Sequence, residues 1–181
     1  MPANCRKRIR LVFNMDEIQI PIGREMLGSS LNVPRGATVL VVFVHGSGSS
    51  RHSLRNQCVA RSLNEAGLAT LLFDLLTPEE EAIDVQTAEY RFDISLPGRT
   101  ARARHEMGHG AGGDTGAAPR YFGASTGGGA ALVAPAELPR EIGAVVSRGG
   151  RPDLAAGALS KVQAPTLLIV GADDVVIDLN E

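Results

Sequence analysis

The sequence lacks tryptophan altogether and contains only two tyrosines and five phenylalanines among its 181 residues. So few aromatic rings argue against a platform on which nucleic-acid bases stack. The chain also lacks a surplus of positive charge, since its formal net charge is −2 and its pI is about 6.1. A basic surplus is what attracts nucleic acid or an anionic membrane surface. We therefore expect neither of them as a partner.

Cysteine is scarce as well, because Cys5 and Cys58 are the only two and their spacing fits no metal site. A disulfide framework is not expected from so few cysteines, which favours a reducing compartment. Residues 1–13 are basic but contain no apolar stretch of signal-peptide length. No apolar run approaches the roughly 18 residues of a membrane span. These absences predict a soluble, cytoplasmic protein.

Two segments are apolar on both faces, which is typical of central strands in a parallel sheet. Thr38–Val44 reads TVLVVFV, and Thr70–Leu75 reads TLLFDL. Between them, Arg55–Ala66 has the periodicity of a helix, and Gly67 is expected to end it. Strands that alternate with helices predict a doubly wound, mostly parallel α/β sheet.

Weaker patterns complete this sheet. Ile18–Ile22 alternates apolar and polar residues and is expected to pair with Glu25–Leu31. Ile142–Val146 and Pro165–Val170 predict two later strands, whereas Thr77–Ile94 is interpreted as a long acidic connection. No internal repeat or interdomain linker interrupts the pattern, so one domain is expected.

The clearest motif is Gly123-Ala124-Ser125-Thr126-Gly127, which has the pattern G-x-S-x-G. A short predicted strand precedes it, and a predicted helix of small residues, Gly127–Ala136, follows it. In a strand-to-helix turn of this kind the serine is exposed in a crowded backbone conformation, and the glycines leave room for it. The pattern therefore predicts a nucleophile elbow with Ser125 as the nucleophile. A structural glycine-rich turn is the alternative.

A second motif follows the first buried strand, where His45-Gly46-Ser47-Gly48 begins a loop of small residues. In an elbow-containing sheet this loop supplies one oxyanion-hole N–H, and the residue after the nucleophile supplies the other. That assigns the backbone N–H groups of Ser47 and Thr126, with Gly48 as a substitute donor. His45 is a candidate substrate-binding residue. An ordinary turn with His45 capping or packing is the alternative.

The acid of a serine triad is expected after a later strand, and its histidine after the acid. Asp173 and Asp174 both follow Pro165–Val170, although a solvated acidic turn is the alternative for the pair. No histidine follows them, because the four in the chain all precede the elbow: His45, His52, His105 and His109. A serine without a base is a poor nucleophile. The absent histidine is the main difficulty for an enzymatic interpretation.

Arg148 ends another predicted strand, at the sheet edge where ligands bind in open α/β sheets. It is a candidate for binding a substrate carboxylate, and an ordinary exposed arginine is the alternative. Glu79–Glu81 is interpreted as a solvated helix start or lid, because three carboxylates without histidine or cysteine are weak evidence for a metal. We expect no metal.

Several segments together resemble the dienelactone-hydrolase-like family of α/β-hydrolases. They are VVFVHGSGSSRHS (Val41–Ser53), NEAGLATLLFDLLTPEEE (Asn64–Glu81), RFDI (Arg91–Ile94), YFGASTGGGAALVA (Tyr121–Ala134), VVSRGGRPDLA (Val145–Ala155) and APTLLIVGADD (Ala164–Asp174). The resemblance covers most of the chain from Val41 onward and is far more specific than the elbow alone.

The resemblance implies the α/β-hydrolase fold, with a sheet of seven or eight strands. It also implies hydrolysis of an ester, lactone or similar acyl bond in a small-molecule substrate, without a cofactor. Residues 1–181 would then form a single domain that is incomplete at its C-terminal end and lacks the last helix and the histidine. The family's acid follows a Gly-Gly-x-Asp turn, whereas this chain reads Gly171-Ala172-Asp173-Asp174. Matching the residues that follow favours Asp173, and counting from Gly171 favours Asp174. Asp173 is our preferred choice.

One segment departs from the expected pattern. Pro97–Pro119 has the length that the family leads us to expect but lacks the apolar stripe of a helix. A local shift of reading frame, later restored, is one hypothesis, and a flexible loop is the other. Read one base later, Met107-Gly108 encodes tryptophan whichever codons are used. The nucleotide sequence around codons 95–120 decides between the hypotheses, since one uninterrupted frame in independent reads excludes the shift.

Two functions from different classes follow. The first is a serine hydrolase that acts through Ser125 and a backbone oxyanion hole. The second is a catalytically impaired α/β-hydrolase-like protein, in which the same cleft serves as a small-molecule binding module. The sequence names neither a substrate nor an oligomeric state.

Overall fold

A computed structural model describes residues 16–22, 25–87 and 117–180. In these ranges seven strands form one sheet in the order β1-β2-β4-β3-β5-β6-β7. The strands are β1 (Asp16–Ile22), β2 (Glu25–Asn32), β3 (Leu40–Val44), β4 (Ala69–Phe73), β5 (Arg120–Ala124), β6 (Ala144–Arg148) and β7 (Thr166–Ile169).

The sheet is mostly parallel, as predicted. Only the β1–β2 and β2–β4 pairs are antiparallel, and the five strands from β4 to β7 along the sheet run parallel to one another. The expected pairing of Ile18–Ile22 with Glu25–Leu31 is confirmed by β1 and β2. Parallel strands place their carboxyl ends at one edge, so the loops after β3, β5, β6 and β7 meet there.

Within the described ranges, four helices accompany these strands: α1 (Leu54–Glu65), α2 (Pro78–Thr87), α3 (Thr126–Glu137) and α4 (Ala156–Leu159). Single 3-10 turns occupy Pro152–Ala155 and Ile177–Leu179. The described part of the predicted connection Thr77–Ile94 contains α2, and Glu79–Glu81 lie in its first turn, as the interpretation of a solvated helix start expects. Glu80 caps this helix: the Thr77 N–H donates to its carboxylate, and its own N–H donates to the Thr77 hydroxyl.

The sheet buries apolar side chains on both faces, which explains the unbroken apolar character of β3. Residues alternate along a strand, so Val42 and Val44 pack on the α3 face, and Val41 and Phe43 pack on the α1 face. Phe43 and Phe122 stack there with ring centroids 5.0 Å apart. The ends of β3 and β5 are therefore held by a core on each side, which gives the loops that follow them fixed starting points.

The outermost strand, β7, is less covered than its neighbours. All four of its residues are exposed, including Leu167, Leu168 and Ile169. In the described part of the chain, β7 pairs with β6 only. No helix in that part is both long and apolar enough to cross a membrane.

Two further expectations from the sequence concern the segment before the elbow and the cysteines. Apart from its last three residues, Pro97–Pro119 lies outside the described residues, together with His105 and His109. Cys58 lies on α1 and is disulfide-bonded, against the expectation that a disulfide is absent.

Candidate active site

Ser125 stands at the sharp turn between β5 and α3. Its backbone has φ 55° and ψ −128°, and it is the only non-glycine residue with positive φ among the described residues. L-residues rarely adopt such a conformation, because the Cβ atom is crowded by the backbone. The side chain is exposed at the N-terminal end of α3. This is the local geometry that the G-x-S-x-G pattern predicts.

The two flanking glycines are required by close backbone contacts. A Cβ on Gly123 would overlap the carbonyl oxygen of Gly127, and a Cβ on Gly127 would overlap the carbonyl oxygens of Val44 and His45. Gly127 therefore lets α3 begin directly against the end of β3. This close approach places the loop after β3 beside the elbow.

The loop after β3 faces Ser125 through Gly46. A Cβ on Gly46 would lie 3.0 Å from Ser125 Cβ and 3.6 Å from Ser125 Oγ. The next residue, Ser47, donates its backbone N–H to Thr126 Oγ1 over 2.8 Å, and its hydroxyl lies 3.0 Å from the same oxygen. The structure thus brings together the two residues predicted as oxyanion donors. In the free protein, the Thr126 hydroxyl accepts the Ser47 N–H.

His45 does not have the role that the sequence suggested. It is buried, its Nε2 accepts the Leu75 N–H over 3.0 Å, and its Nδ1 lies 2.9 Å from the Gly46 carbonyl oxygen. The first bond requires an unprotonated Nε2, so the proton is on Nδ1. Both ring nitrogens are engaged by the backbone. His45 therefore fastens the loop after β3 to the segment after β4, and we withdraw it as a substrate-binding residue.

Arg51 and Asp74 hold the other end of this loop. Asp74 Oδ1 accepts the Arg51 N–H over 2.9 Å, and Asp74 Oδ2 pairs with the Arg51 guanidinium. Arg51 also contacts Glu17 over 3.3 Å. Both members of the Arg51–Asp74 pair are about one-fifth exposed, at 21% and 23%, so solvent screens the pair only in part. Sequence reasoning missed this pair, because its members belong to different loops.

Arg148 ends β6 directly beside Ala124 of β5. Its guanidinium lies 5.6 Å from the centre of the Phe122 ring, and its Nη2 donates to Asn56 Oδ1 over 3.4 Å. Burial and the neighbouring Arg55 both lower the pKa of Arg148. These contacts place the side chain on the α1 face of the sheet. The carboxylate-binding role of Arg148 stays a prediction.

The two candidate acids differ in their surroundings. Asp174 is half-buried, and its Oδ1 accepts the Val176 N–H over 3.2 Å. A Cβ on Gly149 would lie 3.4 Å from Asp174 Oδ2, so this carboxylate faces the loop after β6. Asp173 is exposed. The geometry therefore favours Asp174 over Asp173, against our sequence-based preference.

A cavity of about 300 Å³ opens beside the oxyanion loop. Its walls combine apolar side chains with two carboxylates, and its lining residues are Ser47, Gly48, Leu75, Leu76, Glu81, Asp84 and Val85. Its volume suits a small organic group. Because Ser47 lines it, a molecule in the cavity would have one end close to the proposed oxyanion donors.

Two histidines lie in the described ranges, and neither hydrogen-bonds Ser125. His45 is engaged as above, and His52 is exposed in the loop before α1. In the same ranges, no group of three or more His, Cys, Asp or Glu side chains is arranged to hold a metal ion. The described site thus contains a serine, backbone donors and an acid.

Comparisons with known proteins agree with this fold. The dienelactone hydrolase of Anabaena variabilis superposes with a TM-score of 0.80 at 55% identity, over 92% of this chain and 78% of that one. An α/β serine hydrolase without lid from Xanthomonas campestris superposes with a TM-score of 0.65 over 94% of this chain and 78% of that one. Its identity is only 18%, so it supports the fold alone. No family model matches the sequence.

Two curated relatives from Mycobacterium tuberculosis strains are 53% identical over 92% of this chain. They carry the provisional name phosphoribosyl transferase, and this chain spans 37% of their length. Fold and site together define an α/β-hydrolase with a serine elbow. The chain belongs to the dienelactone-hydrolase-like family of α/β-hydrolases.

Proposed function

We propose that the protein is a serine hydrolase that cleaves an ester, lactone or similar acyl bond in a small molecule. The observation that carries this proposal is the conformation of Ser125. A strained, exposed serine at a helix N-terminus, beside a second loop with a backbone donor, is the arrangement that nucleophilic acyl transfer needs. Strain of this kind is retained at functional sites because it orients a reacting group.

In the proposed reaction, Ser125 Oγ attacks the substrate carbonyl carbon, and its proton passes to an imidazole base that is not among the described residues. The carbonyl oxygen becomes an oxyanion, which accepts hydrogen bonds from the N–H groups of Ser47 and Thr126, with Gly48 as a substitute donor. Each such donor typically contributes a factor of roughly 10²–10³ to the rate. The alcohol then leaves with a proton, and water releases the acid from the acyl-enzyme. Asp174 is the preferred carboxylate for orienting the base.

The second candidate function is ligand binding with little or no turnover. It is supported by the absence of a described histidine that contacts Ser125, because loss of the base leaves only the catalysis that binding and the oxyanion hole provide. In this case the cavity beside Ser47 would still bind a small acyl compound. Such binding raises the thermal midpoint without producing a product.

The name of the mycobacterial relatives suggests a different chemistry, phosphoribosyl transfer. The described elbow and oxyanion loop instead fit acyl chemistry. We therefore keep acyl hydrolysis as the proposed function of this chain, which spans 37% of the length of those relatives.

A fluorophosphonate probe tests the proposal, since it reacts covalently with an activated serine. We expect labelling of the parent protein and none of a Ser125→Ala variant, with both shown to be folded by circular dichroism. Absence of labelling in the folded parent contradicts the hydrolase. In that case, a rise in thermal midpoint with a non-hydrolysable acyl analogue supports the binding module.

A further inference from the structure

The backbone of Ser125 is held on both sides by one loop, Arg148–Arg151, which we name the 148–151 loop. The Ser125 N–H donates to the Arg148 carbonyl oxygen over 3.3 Å, and the Arg151 N–H donates to the Ser125 carbonyl oxygen over 3.1 Å. The Gly128 N–H reaches the same carbonyl oxygen over 2.9 Å. Two of these three bonds therefore come from the 148–151 loop.

The 148–151 loop has little freedom to move. Gly149 has φ +50°, a conformation that glycine adopts without cost, and its N–H donates to the Ile169 carbonyl oxygen over 2.7 Å. A Cβ on Gly150 would overlap Ser147 Oγ and lie 3.4 Å from Gly128 Cα. Glycine at both positions lets the loop pass between β6 and the start of α3, close enough to reach Ser125.

Asn180 fastens this loop from a distant part of the chain. Its Nδ2 donates to the Gly150 carbonyl oxygen over 3.0 Å and to the Val176 carbonyl oxygen over 2.8 Å. The first bond joins the turn after β7 to the residue just before Arg151. A continuous set of hydrogen bonds thus runs from Asn180 through Gly150 and Arg151 to Ser125.

We propose that the 148–151 loop stabilises the strained conformation of Ser125, and that Asn180 is a positioning residue that acts through this loop. A non-glycine residue at positive φ persists only where the surrounding structure holds it there. The three hydrogen bonds to the Ser125 backbone are contacts of that kind. The inference rests on the proposed function in one respect, that the residue so positioned is the nucleophile.

The test compares the unfolding equilibria of single and double variants, and it does not require turnover. Ser125→Ala and Ser125→Gly both remove the hydroxyl, but only glycine relieves the strain of positive φ. In the parent background we expect the unfolding equilibrium constant of the glycine variant to be roughly 2- to 30-fold lower than that of the alanine variant. In an Asn180→Leu background the loop no longer holds residue 125, so the ratio should approach one.

The matched control is Asn64→Leu, on α1. Asn64 Nδ2 also donates two bonds, each of 2.9 Å, to the Leu68 carbonyl oxygen and to Thr70 Oγ1. The Thr70 hydroxyl also donates to Asn64 Oδ1 over 3.3 Å, so this variant loses at least as many bonds as Asn180→Leu, on the opposite side of the sheet from α3. The ratio measured in the parent background should therefore be retained. The proposal is overturned if the ratio between the alanine and glycine variants at residue 125 is the same in the Asn180→Leu background as in the parent and Asn64→Leu backgrounds.

Asn180→Asp provides an independent measurement if the leucine variant fails to fold. It keeps the side-chain shape but replaces the donor with an oxygen. We expect native-state amide exchange to become roughly tenfold faster at Ser125 and Arg151, and to be unchanged at Val145, which bonds the Pro165 carbonyl oxygen in the neighbouring strand pair. Equal exchange in variant and parent at Ser125 and Arg151 overturns the proposal.

Failure of this inference is distinguishable from failure of the proposed function. If Asn180 and residue 125 are coupled but the probe does not label Ser125, the hydrolase proposal is wrong and the positioning role of Asn180 is supported. If the probe labels Ser125 but no coupling is found, the positioning role is wrong and the hydrolase proposal is supported.

Discussion

The hydroxyl oxygen of Thr126 lies 2.8 Å from the backbone nitrogen of Ser47 and accepts its hydrogen bond. The two residues are 79 positions apart, and this bond joins the loop after β3 to the start of α3. The Ser47 N–H is also a proposed oxyanion donor. A substrate carbonyl oxygen must therefore replace the Thr126 hydroxyl, which keeps the donor satisfied in the free protein.

This relationship predicts different effects for two substitutions at Thr126. Thr126→Val keeps the branched shape but removes the acceptor, so the free energy of unfolding should fall by about 0.5–1.5 kcal/mol. Thr126→Ser keeps the hydroxyl and should stay within about 0.5 kcal/mol of the parent. Urea denaturation measures both. Equal stabilities for the two variants would show that the bond to Ser47 contributes nothing.

The surroundings of Asp173 and Asp174 predict which carboxylate supports catalysis. If Asp174 orients the base, Asp174→Asn should lower kcat for an activated ester by up to roughly 10⁴-fold, as loss of a triad acid does. Asp173→Asn changes an exposed neighbour and should lower kcat less than about threefold. Initial rates of p-nitrophenyl ester hydrolysis test this prediction. The reverse order would restore the sequence-based preference for Asp173.

Asp74 is predicted to stabilise the loop that carries Ser47. Asp74→Asn removes the charge that pairs with Arg51 and should lower the free energy of unfolding by about 1–3 kcal/mol. Glu17→Gln is the matched control, because Glu17 contacts the same arginine but is 59% exposed. Its effect should stay within about 0.5 kcal/mol. A loss of similar size in both variants would contradict the special role of Asp74.

The buried Ser147 hydroxyl is predicted to contribute nothing to the free energy of unfolding. Its hydroxyl oxygen is fully buried and has no hydrogen-bond partner among the described residues, and it packs against Gly128 and Gly150. Ser147→Ala should therefore leave the free energy of unfolding unchanged or raise it by about 1 kcal/mol. Ser30, also buried, donates to Glu17 Oε1 over 2.6 Å. Ser30→Ala should cost about 0.5–1.5 kcal/mol, and an equal cost at Ser147 would reveal a partner for its hydroxyl.

Local patterns predicted the fold because the forces behind them are local. The apolar run at β3 indicated a strand buried on both faces, and Gly123 and Gly127 indicated close approach at the elbow. The start of α2 was expected at Glu79–Glu81, but its extent to Thr87 was not, because the capping pair of Thr77 and Glu80 was not recognised. The cytoplasmic location and the partners stay predictions.

The candidate site was harder to predict than the fold, because long-range hydrogen bonds define it. Nothing adjacent in sequence shows that His45 bonds the Leu75 N–H. The same holds for the 148–151 loop, whose contacts with Ser125 and Asn180 join three separate segments. The choice between Asp173 and Asp174 depends on which side chain the turn after β7 directs towards Gly149.

The central claim is that Ser125 is the nucleophile, and trapping of an acyl-enzyme tests it most directly. The folded protein is mixed with an activated ester, quenched in acid within seconds and digested for mass spectrometry. We predict an added acyl group on the peptide that contains Ser125, and none on that peptide from the Ser125→Ala variant. An unmodified Ser125 peptide, or an acyl group that persists in the variant, would contradict the account.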